Sequence, residues 1–257
     1  MENWIKYSLI VILFLLYFIS KTKKNKKRTA ILVFGQPRTY KKCYQSLFDN
    51  IINQNNHNFD IYLITWKKDY NEELLKYYKP KDVLLLEYDD FLKDLDTINK
   101  LKIGFKYQNP CGGGGSKDKN TYFVQLWQWY KGYQFVKEKK YDYIVRTRFD
   151  NLFNKSIKID NTIFKKNLGS HKIYKDSNNI LDDIFFVIKK EDSCILEIWK
   201  NQDKLDFIDE NYIKNYTNKL KNNEYLMDLE TLVTIYVKDY KKYDYKLISM
   251  DNVNVIR

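Results

Sequence analysis

Cysteine and histidine are scarce in this chain. Its 257 residues hold three cysteines, Cys43, Cys111 and Cys194, and two histidines, His57 and His171. They stand far apart and the cysteines are odd in number, so the sequence carries neither a disulfide framework nor the ligand spacing of a zinc site. Reduced, structural cysteines are expected. One-sided charge is also missing from the body of the protein. The formal charge is +12, yet residues 1–28 hold seven Lys/Arg against one acid and the rest holds 38 against 32. Basic and acidic residues mixed in this way do not make the concentrated cationic face of a nucleic-acid binder. A Walker-type phosphate loop is absent as well. In the run Cys111-Gly112-Gly113-Gly114-Gly115-Ser116-Lys117, counting on from Gly112 puts Lys117 where the second glycine should stand. That run belongs to a polar stretch, about residues 91–120, which reads as a flexible insertion or lid.

What is present begins with a membrane signal. Trp4 to Ser20 is apolar except for Lys6 and is followed by Lys21, Lys23, Lys24, Lys26, Lys27 and Arg28. Its exit, Tyr17-Phe18-Ile19-Ser20, lacks the small residues of a signal-peptidase site, so an uncleaved anchor over residues 1–20 with a basic linker at 21–28 is expected. Basic residues on the C-terminal side place the body in the cytoplasm by the positive-inside rule. Residues 29–257, in a chain that is 44% hydrophobic, suffice for one large catalytic-size domain.

Along that body, strands and helices alternate. Thr29 to Phe34 reads as a strand that breaks at Gly35-Gln36-Pro37-Arg38, after which Tyr40, Tyr44, Leu47 and Ile51 recur at helical spacing. Gly35 allows close backbone approach, Pro37 sets the turn, and Arg38 with the following helix start favours an anion. Asp60 to Trp66 and Asp82 to Tyr88 read as further strands, with a helix at 71–78 between them. The Asp89-Asp90 pair fits a helix start or a ribose contact. Phe123, Leu126, Trp127, Tyr130 and Tyr133 predict a helix leading into Tyr141. Such alternation implies a doubly wound, mostly parallel α/β sheet flanked by helices.

The pivotal stretch is Tyr141-Asp-Tyr-Ile-Val-Arg-Thr-Arg-Phe-Asp150, a buried-strand pattern that runs into charge. In an extended chain Arg146, Arg148 and Asp150 share one face, and Val145, Thr147 and Phe149 the other. Two guanidinium forks and a carboxylate at a strand's carboxyl end suit a phosphate-bearing ligand with a divalent cation; an internal Arg-Asp pair closing the strand is the plain alternative. Further on, Asp182-Asp183 opens a hydrophobic strand, and Glu224, Asp228 and Glu230 lie near the start of a helix carrying Leu229, Leu232, Val233 and Tyr236.

Ile31-Leu-Val-Phe-Gly-Gln-Pro-Arg-Thr39, Tyr141 to Asp150, Asp182-Asp183-Ile-Phe and Glu230-Thr-Leu-Val, in that order over residues 29–240, resemble GT-A-like glycosyltransferases of giant viruses, protists and bacterial polysaccharide loci. The resemblance implies a GT-A-like (Rossmann-type) fold and a sugar nucleotide donor, a nucleoside-diphosphate sugar, with a glycan, lipid or protein acceptor. It puts Gly35, Gln36, Pro37 and Arg38 near the nucleotide and Asp150 in the last position of the Asp-x-Asp motif, as ligand to Mn or Mg. Arg148 stands where the first Asp of that motif is usual. Either Asp150 alone helps hold the metal or Arg146 and Arg148 replace part of its charge. Asp183 or Glu230 is the expected general base toward an acceptor hydroxyl. Two rivals remain at this stage: a catalytically inactive GT-A-fold carbohydrate-binding or scaffold protein at a membrane, and a phosphate or nucleotidyl transferase.

Overall fold

The computed structural model describes residues 26–97, 121–159, 168–172, 181–201, 229–242, 245–248 and 253–256, with two isolated positions, Ile12 and Phe14. Among the described residues no helix is long and apolar enough to cross a membrane. The rest of the stretch read as an anchor, the glycine run and most of the polar insertion lie outside them.

From residue 26 onward the described elements are β1 (Lys27–Phe34), α1 (Tyr40–Leu47), β2 (His57–Trp66), α2 (Glu73–Tyr78) and β3 (Asp82–Leu86). Then follow α3 (Tyr88–Thr97), α4 (Thr121–Val136), β4 (Tyr143–Arg148), β5 (Asn151–Phe153), β6 (Leu168–Lys172) and β7 (Leu181–Lys189). A 3-10 segment, Lys190–Glu197, leads on from β7; α5 (Leu229–Ile235), β8 (Tyr245–Ile248) and β9 (Val253–Val255) complete the order.

Among the described residues a seven-stranded sheet runs β3-β2-β1-β4-β7-β6-β8, and β5 pairs with β9 beside it. Strands β3, β2, β1 and β4 are mutually parallel. The expectation of a mostly parallel sheet holds for that half. Beyond it the sheet is mixed, because β7 enters antiparallel to both β4 and β6. The antiparallel entry brings the start of β7 beside the carboxyl end of β4, where the Asn151 amide donates to the Ile184 carbonyl at 3.0 Å.

Period-two alternation sends each central strand's side chains into two cores. Ala30, Leu32, Phe34, Tyr62, Ile64, Ile144 and Phe186 meet α4, α5 and the 3-10 segment on one face. Ile31, Val33, Ile61, Leu63, Val145, Phe149 and Val187 meet α1, α2 and Val253 of β9 on the other. The stripe on α4 is wider than its spacing suggested: Trp129, Gly132 and Val136 are buried along with Leu126, Trp127 and Tyr133, because the helix is wedged between the sheet and the 3-10 segment. Gly132 lets it approach the sheet. A Cβ there would stand 2.6 Å from Phe34 Cε1.

Helix α3 runs to Thr97, into the stretch read as a flexible insertion, because fully buried Phe91 anchors it against Trp127 and Trp199 at ring separations of 5.7 and 5.9 Å. Asp89 and Asp90 are exposed in its first turn, the ordinary place for carboxylates beside a helix N-terminus.

Candidate functional site

Strand order reverses between β1 and β4: from β1 the chain moves outward through β2 and β3, then returns to lay β4 on β1's other side. Loops leaving the carboxyl ends of such a pair diverge to opposite faces and open a crevice where ligands bind in open α/β sheets. Here the register sets Phe34 beside Arg148, so the Gly35 loop and the Arg148–Asp150 segment leave the sheet side by side. A cleft of about 270 Å³ lies there, and its walls include Gly35, Gln36, Arg38, Arg146, Arg148 and Asp150.

Gly35 adopts φ +100°, a left-handed conformation that side chains resist, and its N–H donates to the Ile64 carbonyl at 3.1 Å. The Thr65 hydroxyl donates to the Gly35 carbonyl at 2.9 Å, which pins the turn from β2. The Arg38 guanidinium donates to Gln36 Oε1. Thr39 then occupies the cap position of α1 without capping it: its hydroxyl donates instead to the Ile256 carbonyl at 3.1 Å. Ile256 N–H in turn donates to the Asp150 carbonyl at 2.8 Å, tying the two cleft-forming segments together.

Arg146 is 2% exposed. Its guanidinium carbon lies 4.7 Å from the ring centroid of Trp129, 5.8 Å from Phe34 and 5.9 Å from Phe186, an aromatic cage that offsets part of the cost of burying a cation. Arg148 forms a two-pronged fork with Asp150, Nε to Oδ1 at 2.8 Å and Nη2 to Oδ2 at 2.7 Å. The internal Arg-Asp pair is therefore real, and it forms inside the cleft rather than in place of it. The charge of Asp150 is also felt by Cys43 and Tyr78. Burial pushes the Cys43 thiol up; a Thr39 hydrogen bond works against that rise and the negative charge of Asp150 adds to it. Burial, Cys43 and Asp150 likewise raise Tyr78, so both groups stay neutral.

Among the described residues the donor set does not suit a divalent metal. Both oxygens of Asp150 take hydrogen bonds from Arg148, and among the described residues no group of three His, Cys, Asp or Glu side chains could hold an ion. Asp183 lies on β7 and Glu230 in the first turn of α5; their side chains fall outside the described residues. Their backbone places them informatively all the same. Three residues of β6, Ser170 to Lys172, lie opposite six of β7, Phe186 back to Leu181, so the ladder is irregular over the part of β7 that contains Asp182 and Asp183, at the cleft end of the strand. Helix α5 packs on the same face as α4.

Sequence reasoning missed five wall residues, Phe34, Trp66, Val124, Gln125 and Gln128. Trp66 ends β2 and stacks on Trp127 at 5.9 Å. Gln125 and Gln128 are the amides in the otherwise aromatic and aliphatic stretch Phe123 to Tyr130 of α4, a polar interruption that is visible in the sequence once the helix is known to be buried on most sides.

Compared with known proteins, the chain matches no family model and no curated protein. Among solved structures it is similar to mouse xyloside xylosyltransferase 1 in its apo form, at 8% identity and a TM-score of 0.45, over 87% of this chain and 84% of that one. A likeness of that degree carries no weight for activity, which is argued from the cleft.

Proposed function

We propose that this chain is a GT-A-like glycosyltransferase that takes a nucleoside-diphosphate sugar and transfers the sugar to a glycan, lipid or protein hydroxyl. One observation carries the reading: Arg38, Arg146 and Arg148 line a single cleft at the point where strand order reverses. Guanidinium groups match phosphate oxygens in planar, paired hydrogen bonds, and the start of α1 adds backbone N–H groups beside them. Glycosyl transfer expels a diphosphate while the sugar gains oxocarbenium character. Cations held in advance where negative charge grows lower that barrier.

In this chain the arginines carry that role. The fork from Asp150 orients the Arg148 guanidinium, the aromatic cage orients Arg146, and a general base comes from Asp183 or Glu230. Residues 1–20 anchor the enzyme to a membrane, so the full chain is expected in the carbonate-resistant membrane fraction and a chain lacking residues 1–25, which keeps all of β1, in the supernatant.

The test is a thermal-shift panel of UDP, GDP and dTDP in EDTA and in Mn²⁺, followed by donor hydrolysis. One nucleotide at a hundred times its Kd should stabilise the fold by about 2.7 kcal/mol, or roughly 5–10 °C, with the shift retained in EDTA. Arg148→Ala should weaken that nucleotide about tenfold or more. Absence of any shift would overturn the reading. Because the Asp150 carboxylate is already engaged, an inactive GT-A-fold sugar-binding protein is the second reading, and binding without hydrolysis or transfer would select it.

A further inference from the structure

One wall of the cleft carries neutral amides rather than arginines. Gln125 and Gln128 stand one turn apart on α4, on one helix face, and both line the cleft beside Trp66. Gln128 is 5% exposed, and the Oε1 atom of Gln125 is buried without a hydrogen-bond partner among the described residues. Burying an amide is unfavourable unless it finds a partner, and leucine or methionine would fill the same space on a helix between two apolar layers. These two amides therefore point to a ligand that both donates and accepts.

Three kinds of group on a sugar nucleotide are available. Phosphate only accepts at neutral pH, and the arginines already meet it. A nucleobase is typically held by stacking on an aromatic face. Neither ring that lines the cleft among the described residues has such a face open: Phe34 is 2% exposed, and Trp66 8% with one side against Trp127. Sugar hydroxyls donate and accept, as amides do, and need no platform.

Resting on the transferase reading above, we propose that Gln125 and Gln128 form the sugar subsite of the donor and read the hydroxyls of a neutral glycosyl group.

The experiment compares, by calorimetry on the full-length protein in detergent, the Kd of UDP, GDP and dTDP with those of their neutral hexose conjugates, in the wild type, Gln128→Leu and Gln125→Met. The wild type is expected to bind one hexose conjugate more tightly than its free nucleoside diphosphate. Either substitution should weaken the conjugate about three- to tenfold while moving the free nucleotide less than twofold. A purely structural role would shift both ligands together, and equal losses overturn the inference. An unchanged conjugate affinity in both variants overturns it as well. Wild-type protein that binds no nucleotide overturns the transferase reading, and the sugar subsite with it.

Discussion

Arg146 shows how a single side chain shapes the cleft. At 2% exposure beside Trp129, Phe34 and Phe186 it holds positive charge inside an apolar layer, so the packing of Phe34 also sets where that charge sits. Gly132 touches the same ring. In Gly132→Ala the new Cβ would press on Phe34 Cε1 and Cζ at 2.6 and 2.7 Å, and ring and helix must separate. Overpacking of this kind costs about 1–3 kcal/mol. The expected fall in Tm is roughly 2–10 °C in a thermal scan, larger than exposed Gly-to-Ala changes give. Arg148 permits a sharper test. Lysine keeps the charge but loses the planar fork that meets both oxygens of Asp150 at 2.8 and 2.7 Å. Arg148→Lys is therefore expected to weaken nucleoside diphosphate binding severalfold in calorimetry, and full retention would show that charge alone suffices.

Among elements, β9 does more than its three residues suggest. It pairs with β5 directly after Asp150, buries Val253 at 3% exposure, and carries Ile256 into hydrogen bonds with both Thr39 and Asp150. Thr39 has the residue type of a helix cap, yet its hydroxyl reaches Ile256 rather than α1's own N–H groups. Thr39→Val keeps the shape and removes that donor, at a cost of about 0.5–1.5 kcal/mol. Hydrogen exchange at the Ile256 and Val255 amides should quicken while that of the β1 amides stays as it was. Unchanged exchange at Ile256 would show that β5 alone holds β9 in place.

At the scale of the whole molecule, charge is divided between the two ends of the parallel strands. The carboxyl ends hold the arginine cleft, and the amino ends hold a compensated cluster. Burial favours the neutral form of Asp60, but hydrogen bonds from Lys81 at 2.6 Å, Tyr141 at 2.6 Å and Arg28 at 3.3 Å outweigh it and hold the carboxyl below its usual range. Asp142 is also lowered: burial opposes ionisation, and the Arg28 N–H and Lys27 prevail. Burial depresses His57, with Asp142 working against that shift. Each of these groups binds a proton more readily in the unfolded chain, so each contributes stability above its unfolded pKa and loses it as pH falls through the folded value. Tm should begin to decline below about pH 6.5, where His57 is asked to charge, and drop further below about pH 4, where Asp60 and Asp142 protonate. Asp60→Asn should flatten the lower limb and leave the upper one. A Tm that is level from pH 7 to pH 3 would refute the assignment.

Much of this was written in local pattern. The β-branched and aromatic runs in Thr29–Phe34, Asp60–Trp66 and Tyr141–Val145 showed the central strands, since such side chains favour a pleated, buried backbone. The break at Gly35-Gln36-Pro37-Arg38 and the onset of charge at Arg146 marked both cleft-forming segments for the same reason: polar and turn-forming residues end a buried strand. Gln125, Gln128 and Trp66 were not legible as site residues. Their type is common in any helix or strand, and their significance comes from neighbours remote in sequence.

The sequence by itself determined the strands, the helices that follow them and the arginine-bearing ends, because these follow from propensities and periods that act over a few residues. Only the tertiary structure decided that β7 enters antiparallel, that Asp150 is spent on Arg148, and that Ile256 ties the two segments together. Those outcomes depend on which distant groups meet. Hydrogen bonds and ion pairs are set by distances of a few ångströms, and a linear spacing does not contain them.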